Sequence, residues 1–170
     1  VAAMHAASTS FVQYDELAFG VARRLAELTG AEWGMVSAGC AAGMKHVTAA
    51  CVTGGNPEKL IRIPDLSGFD KTEVVIPRSS RNAYDHAIRN IGVKIITVET
   101  FEELEKSLNE RTAMIYLMAG AETLPGERFA VERVAAAAKP KGIPLLVDAA
   151  AEDLTIPNVH LQQGATIVAY

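Results

Sequence analysis

The chain has 170 residues, 49% hydrophobic and 21% charged, with a net charge of −4 and a pI of about 5.6. That size and composition suit one globular domain burying about 70% of its unfolded surface. The acidic balance argues against a nucleic-acid-coating surface, and no apolar run approaches the roughly 20 residues needed to cross a bilayer.

Val1 to Ser8 is alanine-rich and predicts a helix. After a turn, Asp15 is the expected N-cap of a second helix over 16–28, where Leu17, Val21, Leu25 and Leu28 recur at helical spacing. Glu32 to Ser37 reads as a short strand. Ala38-Gly39-Cys40-Ala41-Ala42-Gly43 then opens a long helix to about Thr53, broken by Gly54-Gly55-Asn56-Pro57. Cys40 and Cys51 both fall on that helix, about 16 Å apart at about 1.5 Å per residue, too far to pair. Unpaired cysteines predict a reduced, cytoplasmic protein.

A further helical turn over 57–62 and an irregular loop over 64–72 precede the buried strand Glu73-Val74-Val75-Ile76-Pro77. The polar run Arg78-Ser79-Ser80-Arg81-Asn82 leads to a helix over 84–90, and Val93 to Val98 is the next strand. Thr100 and Glu103 form a capping box for a helix reaching about Asn109. Thr112 to Met118 is a strand, 119–126 a loop, and 127–139 a helix stopped by Pro140 and Gly142. Ile143-Pro144-Leu145-Leu146-Val147-Asp148 is an apolar run ending in a carboxylate, as expected of a strand buried on both faces. His46 and His86 fall in expected helices and His160 in a late loop, none at metal-ligand spacing.

Strands and helices alternate without hairpin signals. The predicted architecture is α/β: a three-layer sandwich, mainly parallel sheet with helices on both faces, forming a single domain over 1–170. The chain opens on Val1 inside an expected helix and closes on the strand-like run Thr166 to Tyr170, which reads as a fragment of a longer protein.

Three polar clusters follow strands and are expected at one edge of the sheet, where open α/β sheets bind ligands. Small residues at the turn over 37–42 let amides at a helix N-terminus approach a phosphate, although no Walker or dinucleotide spacing is present. Arg78 and Arg81 offer paired donors for an anion or, alternatively, belong to a solvated loop. Asp148 and Glu152 are two carboxylates four residues apart, with helix capping as the plain alternative for the first. Cys40, at a helix start, is either an activated thiol or a buried structural one.

Five segments carry a resemblance: Glu27-Leu28-Thr29-Gly30-Ala31-Glu32, Val36-Ser37-Ala38-Gly39-Cys40-Ala41-Ala42, Arg81-Asn82-Ala83-Tyr84-Asp85-His86, Val147-Asp148-Ala149-Ala150-Ala151-Glu152 and Val168-Ala169-Tyr170. Together they resemble the large domain of fold-type-I pyridoxal-phosphate enzymes. Within these, they are most similar to the selenocysteine-synthase-like group named for L-seryl-tRNA(Sec) selenium transferase.

The resemblance implies pyridoxal 5'-phosphate as cofactor. It places Ala38, Gly39, Cys40 and Ala41 at the cofactor phosphate, Asp148 at the protonated pyridine nitrogen and Ala150 against one ring face. Ser80 falls where many relatives stack a histidine on the other face, a role a serine side chain cannot fill. The resembling enzymes carry their Schiff-base lysine a few residues past the position of Tyr170, followed by a C-terminal small domain. The 170 residues as they stand are therefore expected to be inactive alone.

The implied parent enzyme is a transferase or lyase acting on a small amino-acid-like or sugar-acid substrate by elimination, β-replacement or related chemistry. It is expected to be a homo-oligomer, dimeric or higher, with no membrane or nucleic-acid partner and no metal. The alternative from another class is a non-catalytic α/β domain that binds a phosphorylated ligand or a partner chain, for which Asp148 has no use.

Overall fold

The computed structural model describes residues 1–170. Two helices, α1 (Ala2–Ser8) and α2 (Tyr14–Thr29), lead the chain. The backbone of Gln13, not Asp15, forms the N-cap of α2. Asp15 and Glu16 lie in the first turn, where their charge complements the helix dipole.

The segment over 32–37 is not a strand. Trp33, Met35 and Val36 are exposed, and Trp33 packs edge-to-face with Phe19 from α2, with ring centroids 5.5 Å apart. A strand needs a neighbour to take its amides and carbonyls, and this segment has none, so its apolar content alone does not make it one. Helix α3 (Cys40–Thr53) follows as expected and ends at Gly54, whose φ of 59° closes the helix in the left-handed conformation.

Beyond the short helix α4 (Pro57–Leu60), the chain builds its sheet from β1 (Glu73–Pro77), β2 (Lys94–Val98), β3 (Thr112–Met118), β4 (Leu145–Asp148) and β5 (Ile167–Ala169). Helices α5 (His86–Arg89), α6 (Phe101–Ser107), α7 (Val131–Ala138) and α8 (Val159–Gln162) connect the strands in turn. The strand order is β2-β1-β3-β4-β5 and every pairing is parallel. The predicted α/β sandwich with helices on both faces is what forms.

Two further expected elements differ. Helix α7 begins at Val131 instead of residue 127, because Phe129 is buried and its amide donates to the Glu122 carbonyl, tying this stretch back to the preceding loop. His160 lies in helix α8 and not in a loop, since the Asn158 side chain accepts from the Leu161 amide and caps a turn there.

Strand side chains alternate between two cores. Val75, Ile115, Leu117, Leu145 and Val147 face α6 and α7, while Val74, Ile76, Met114, Tyr116 and Leu146 face α3 and α5. Each fully buried aliphatic side chain contributes about 1.5–3 kcal/mol. Because β1 pairs with both β2 and β3, the chain leaves β1 to one side and returns across it to reach β3. The loops leaving the C-terminal ends of β1 and β3 therefore diverge, and a crevice opens there.

Candidate active site

Strand β4 delivers Asp148 to the sheet edge at its last position, where it is 7% exposed. Its Oδ2 accepts from the Tyr116 hydroxyl at 2.7 Å, and its Oδ1 accepts from the Cys40 thiol at 3.2 Å and the Ala150 amide at 3.1 Å. All three donors are neutral. No lysine, arginine or histidine pairs with this carboxylate.

The contact with Cys40 brings the start of α3 beside Asp148. Gly39 precedes the helix with φ of 93°, a conformation L-residues with side chains rarely adopt, and its amide bonds the Ser37 carbonyl at 2.8 Å to make the tight turn. No side chain caps the helix, and the amides of Cys40, Ala41 and Ala42 have no acceptor within the protein. Ala38, Gly39 and Ala41 are exposed, as is Ala150, whose amide meets the same carboxylate oxygen as the Cys40 thiol. Free amides at the start of α3 thus lie beside a buried carboxylate.

Tyr116 belongs to β3, two residues before its end, and alternation turns it toward α3. Its hydroxyl accepts from the Asn82 side-chain amide at 3.1 Å. Burial and the bond to Asp148 raise the tyrosine's pKa, the Asn82 bond opposing them, so Tyr116 stays a protonated donor. Burial first, then the bond to Asp148 and its charge, push the Cys40 thiol up to about 12. Burial and the nearby carboxylate favour the structural reading of Cys40 over the activated thiol.

Ser80 is 2% exposed, and its hydroxyl accepts from the Met118 amide at 3.1 Å, so it ties the exit of β1 to the exit of β3. Arg81 is spent on the protein itself, pairing with buried Asp85 and donating to Thr97 at 2.9 Å. Arg78 bonds Glu99 at 2.8 Å at the surface. Glu152 does not join Asp148 but bonds His160 at 2.6 Å, pinning the loop after β4 to α8. No group of three or more potential metal ligands converges anywhere.

Sequence reasoning missed Tyr116 as a member of this site and placed Asn82 only within the polar run after β1. The available signal was the Tyr116 hydroxyl deep in a mostly apolar buried strand, which must find a partner.

No protein-family model matches the chain. It is 30% identical over 156 residues to D-glucosaminate-6-phosphate ammonia lyase of Salmonella typhimurium, covering 86% of this chain and 42% of that protein. It is 28% identical over 163 residues to a 5'-C-glycyluridine monooxygenase-decarboxylase of a Streptomyces species, covering 89% of this chain and 41% of the relative. The chain thus spans about two fifths of the length of these curated relatives. The solved structure of D-glucosaminate-6-phosphate ammonia-lyase superposes on 97% of this chain with a TM-score of 0.86 and 27% identity, using 47% of its own length. With its five parallel strands and its helices on both faces, the chain has the fold of the large domain of fold-type-I pyridoxal-phosphate enzymes.

Proposed function

We propose that this chain is the cofactor-holding part of a pyridoxal-5'-phosphate-dependent lyase or transferase of the selenocysteine-synthase-like group, acting on an amino-acid-like or sugar-acid substrate. The observation that carries this reading is a buried carboxylate without a cationic partner, Asp148, beside an uncapped helix N-terminus. An unpaired buried carboxylate costs several kcal/mol, and uncapped amides leave donors unmet. A ligand carrying both a phosphate and a cationic ring N–H offsets both costs. The residues present fit that group.

In this reading the turn Ala38, Gly39, Cys40 and Ala41 holds the phosphate, its free donors being the amides of Cys40 and Ala41, with the helix dipole favouring the charge. Asp148 receives the ring N–H. Ala150, small and exposed, lies against one ring face. Ser80 acts one step back, its hydroxyl holding the exits of β1 and β3 together at the crevice. The cofactor supplies an electron sink for the pair left when a bond at the substrate's α-carbon breaks.

Lys45, Lys139 and Lys141 do not suit a cofactor linkage. Lys45 is exposed on α3, and Lys139 and Lys141 precede β4, at the opposite sheet edge from Asp148, where Lys141 donates to the Leu108 carbonyl at 2.9 Å. We read the 170 residues as most of a large domain, in keeping with a chain that spans about two fifths of its relatives' length.

One relative's name favours elimination, the Salmonella protein being a D-glucosaminate-6-phosphate ammonia lyase, while the Streptomyces relative is a decarboxylase. The net charge of −4 gives no tRNA footprint, so selenium transfer to seryl-tRNA is the less favoured member of the group's chemistry. Exposed Leu17, Phe19 and Leu28 on α2, with Phe11, Trp33 and Met35 nearby in sequence, support a homo-oligomeric parent. No helix is long and apolar enough to cross a membrane.

The test is titration of the full gene product with pyridoxal phosphate, followed by absorbance and fluorescence. Saturable binding is expected, weakened at least about tenfold by Asp148→Ala, since a buried charge-assisted bond is lost. Absence of binding, or Asp148→Ala binding like wild type, would overturn the reading.

A further inference from the structure

The hydrogen bonds behind Asp148 have a fixed direction. Asn82 Oδ1 accepts from the amides of Tyr84 at 2.7 Å and Asp85 at 3.2 Å, while its Nδ2 donates to the Ser80 carbonyl at 3.1 Å. These partners settle the orientation of the side-chain amide, since only the oxygen can accept and only the nitrogen can donate. The same Nδ2 faces the Tyr116 oxygen at 3.1 Å, so that oxygen is an acceptor on this side. Its single proton then goes to Asp148 Oδ2, 2.7 Å away.

Counting acceptor capacity at Asp148 gives the next step. Each carboxylate oxygen has about two lone-pair sites. Those of Oδ1 are taken by the Cys40 thiol and the Ala150 amide. Oδ2 holds one donor, Tyr116, and keeps one site open.

We propose that Asn82 and Tyr116 are positioning residues that orient Asp148 so that the open lone pair of Oδ2 takes the ring N–H of the cofactor. The inference rests on the pyridoxal-phosphate reading above. The relay begins in the loop after β1, passes through β3 and ends on β4, so the exits of three strands set the direction of one lone pair. Tyr116 is held by a fully buried ring, which restricts its swing, and Asn82 is held by backbone amides on its own loop. Neither residue touches the cofactor in this arrangement. Their effect reaches it only through the ring nitrogen.

That last condition supplies the test. The full gene product is titrated with pyridoxal 5'-phosphate and with its 1-deaza analogue, in which carbon replaces the ring nitrogen. The variants are Tyr116→Phe, which keeps the ring in the core, and Asn82→Asp, which keeps the acceptor for the two amides but presents an acceptor to the tyrosine hydroxyl. Expected is about tenfold weaker binding of pyridoxal phosphate in Tyr116→Phe, the scale of one hydrogen bond to a charged group. A similar trend is expected in Asn82→Asp, with the affinity of the deaza analogue unchanged in both variants. Equal weakening of both ligands would show a merely structural role and overturn the proposal, as would no change in either. Wild-type protein that binds neither ligand would instead overturn the cofactor reading itself.

Discussion

Cys40 shows how one neighbour reverses the behaviour expected of a residue from its place in the chain. A thiol at the start of a helix is ordinarily acidified by the dipole. Here burial and the Asp148 carboxylate push it up to about 12, whereas Cys51, deeper in the same helix, is raised to about 11 by burial alone. The thiolate is the reactive form, so both cysteines should be alkylated slowly by iodoacetamide at pH 8.5 in the ligand-free protein. Asp148→Asn removes the negative charge that opposes Cys40 ionisation, and its pKa must then fall. Each pH unit recovered multiplies the thiolate about tenfold, so peptide mass spectrometry should show faster labelling of Cys40 against an unchanged Cys51. Equal rates in the two proteins would mean that burial alone governs the thiol. At this scale Asp148 was legible in the sequence, as a lone carboxylate ending an apolar run. Tyr116 was not, because its partner Asn82 is 34 residues earlier and no local spacing joins them. Arg81 was legible as an anion binder, but the anion is a side chain of its own loop.

The loop after β1 is the element on which the site depends, and its rigidity comes from Asp85. This aspartate is 1% exposed and is gripped by Arg81 on one side and by Arg89 at 2.8 Å on the other. Burial alone would raise its pKa, but the bonds and charges of the two arginines outweigh it and hold the carboxyl below the usual carboxylate range. A depressed folded-state pKa contributes stability that is present above the unfolded value of about 3.9 and lost as pH falls through the folded value. Asp85→Asn should therefore destabilise the protein by about 3 kcal/mol at pH 7, the scale of a broken buried pair. Urea unfolding of the two proteins should converge as the pH is lowered beneath about 3.9. A gap independent of pH would assign the loss to packing instead. The main elements of the sheet were readable because a strand buried on both faces is a continuous apolar run: Thr112–Met118 was expected with those bounds. The stretch over 32–37 carries Trp33, Met35 and Val36 but fails as a strand because pairing, which composition does not encode, is absent. The start of α7 was misread for a related reason, since Phe129 is drawn into the core by tertiary contact and leaves the helical path.

At the scale of the whole molecule, the sheet divides the interior into two cores with separate duties. The core against α6 and α7 contains no member of the relay to Asp148. The core against α3 and α5 contains Tyr116 and packs directly against Cys40. Stability is thus shared between the faces, while the candidate site depends on one. Ile115 and Ile88 are both fully buried, the first in the α6–α7 core and the second in the α3–α5 core. Removing one methylene from each, as Ile115→Val and Ile88→Val, should cost about 1 kcal/mol apiece. Because the two positions lie in different cores, the double variant should equal the sum of the singles within about 0.5 kcal/mol. Urea unfolding of the four proteins closes that cycle, and a larger coupling would show that the sheet transmits packing strain from one face to the other. The same proteins, titrated with pyridoxal phosphate, give the second half of the argument. Ile115→Val should bind as wild type does, since the face it perturbs carries no part of the Asn82–Tyr116–Asp148 chain. A loss of affinity in that variant would mean that Asp148 is positioned by the whole sheet and not by the α3 face alone.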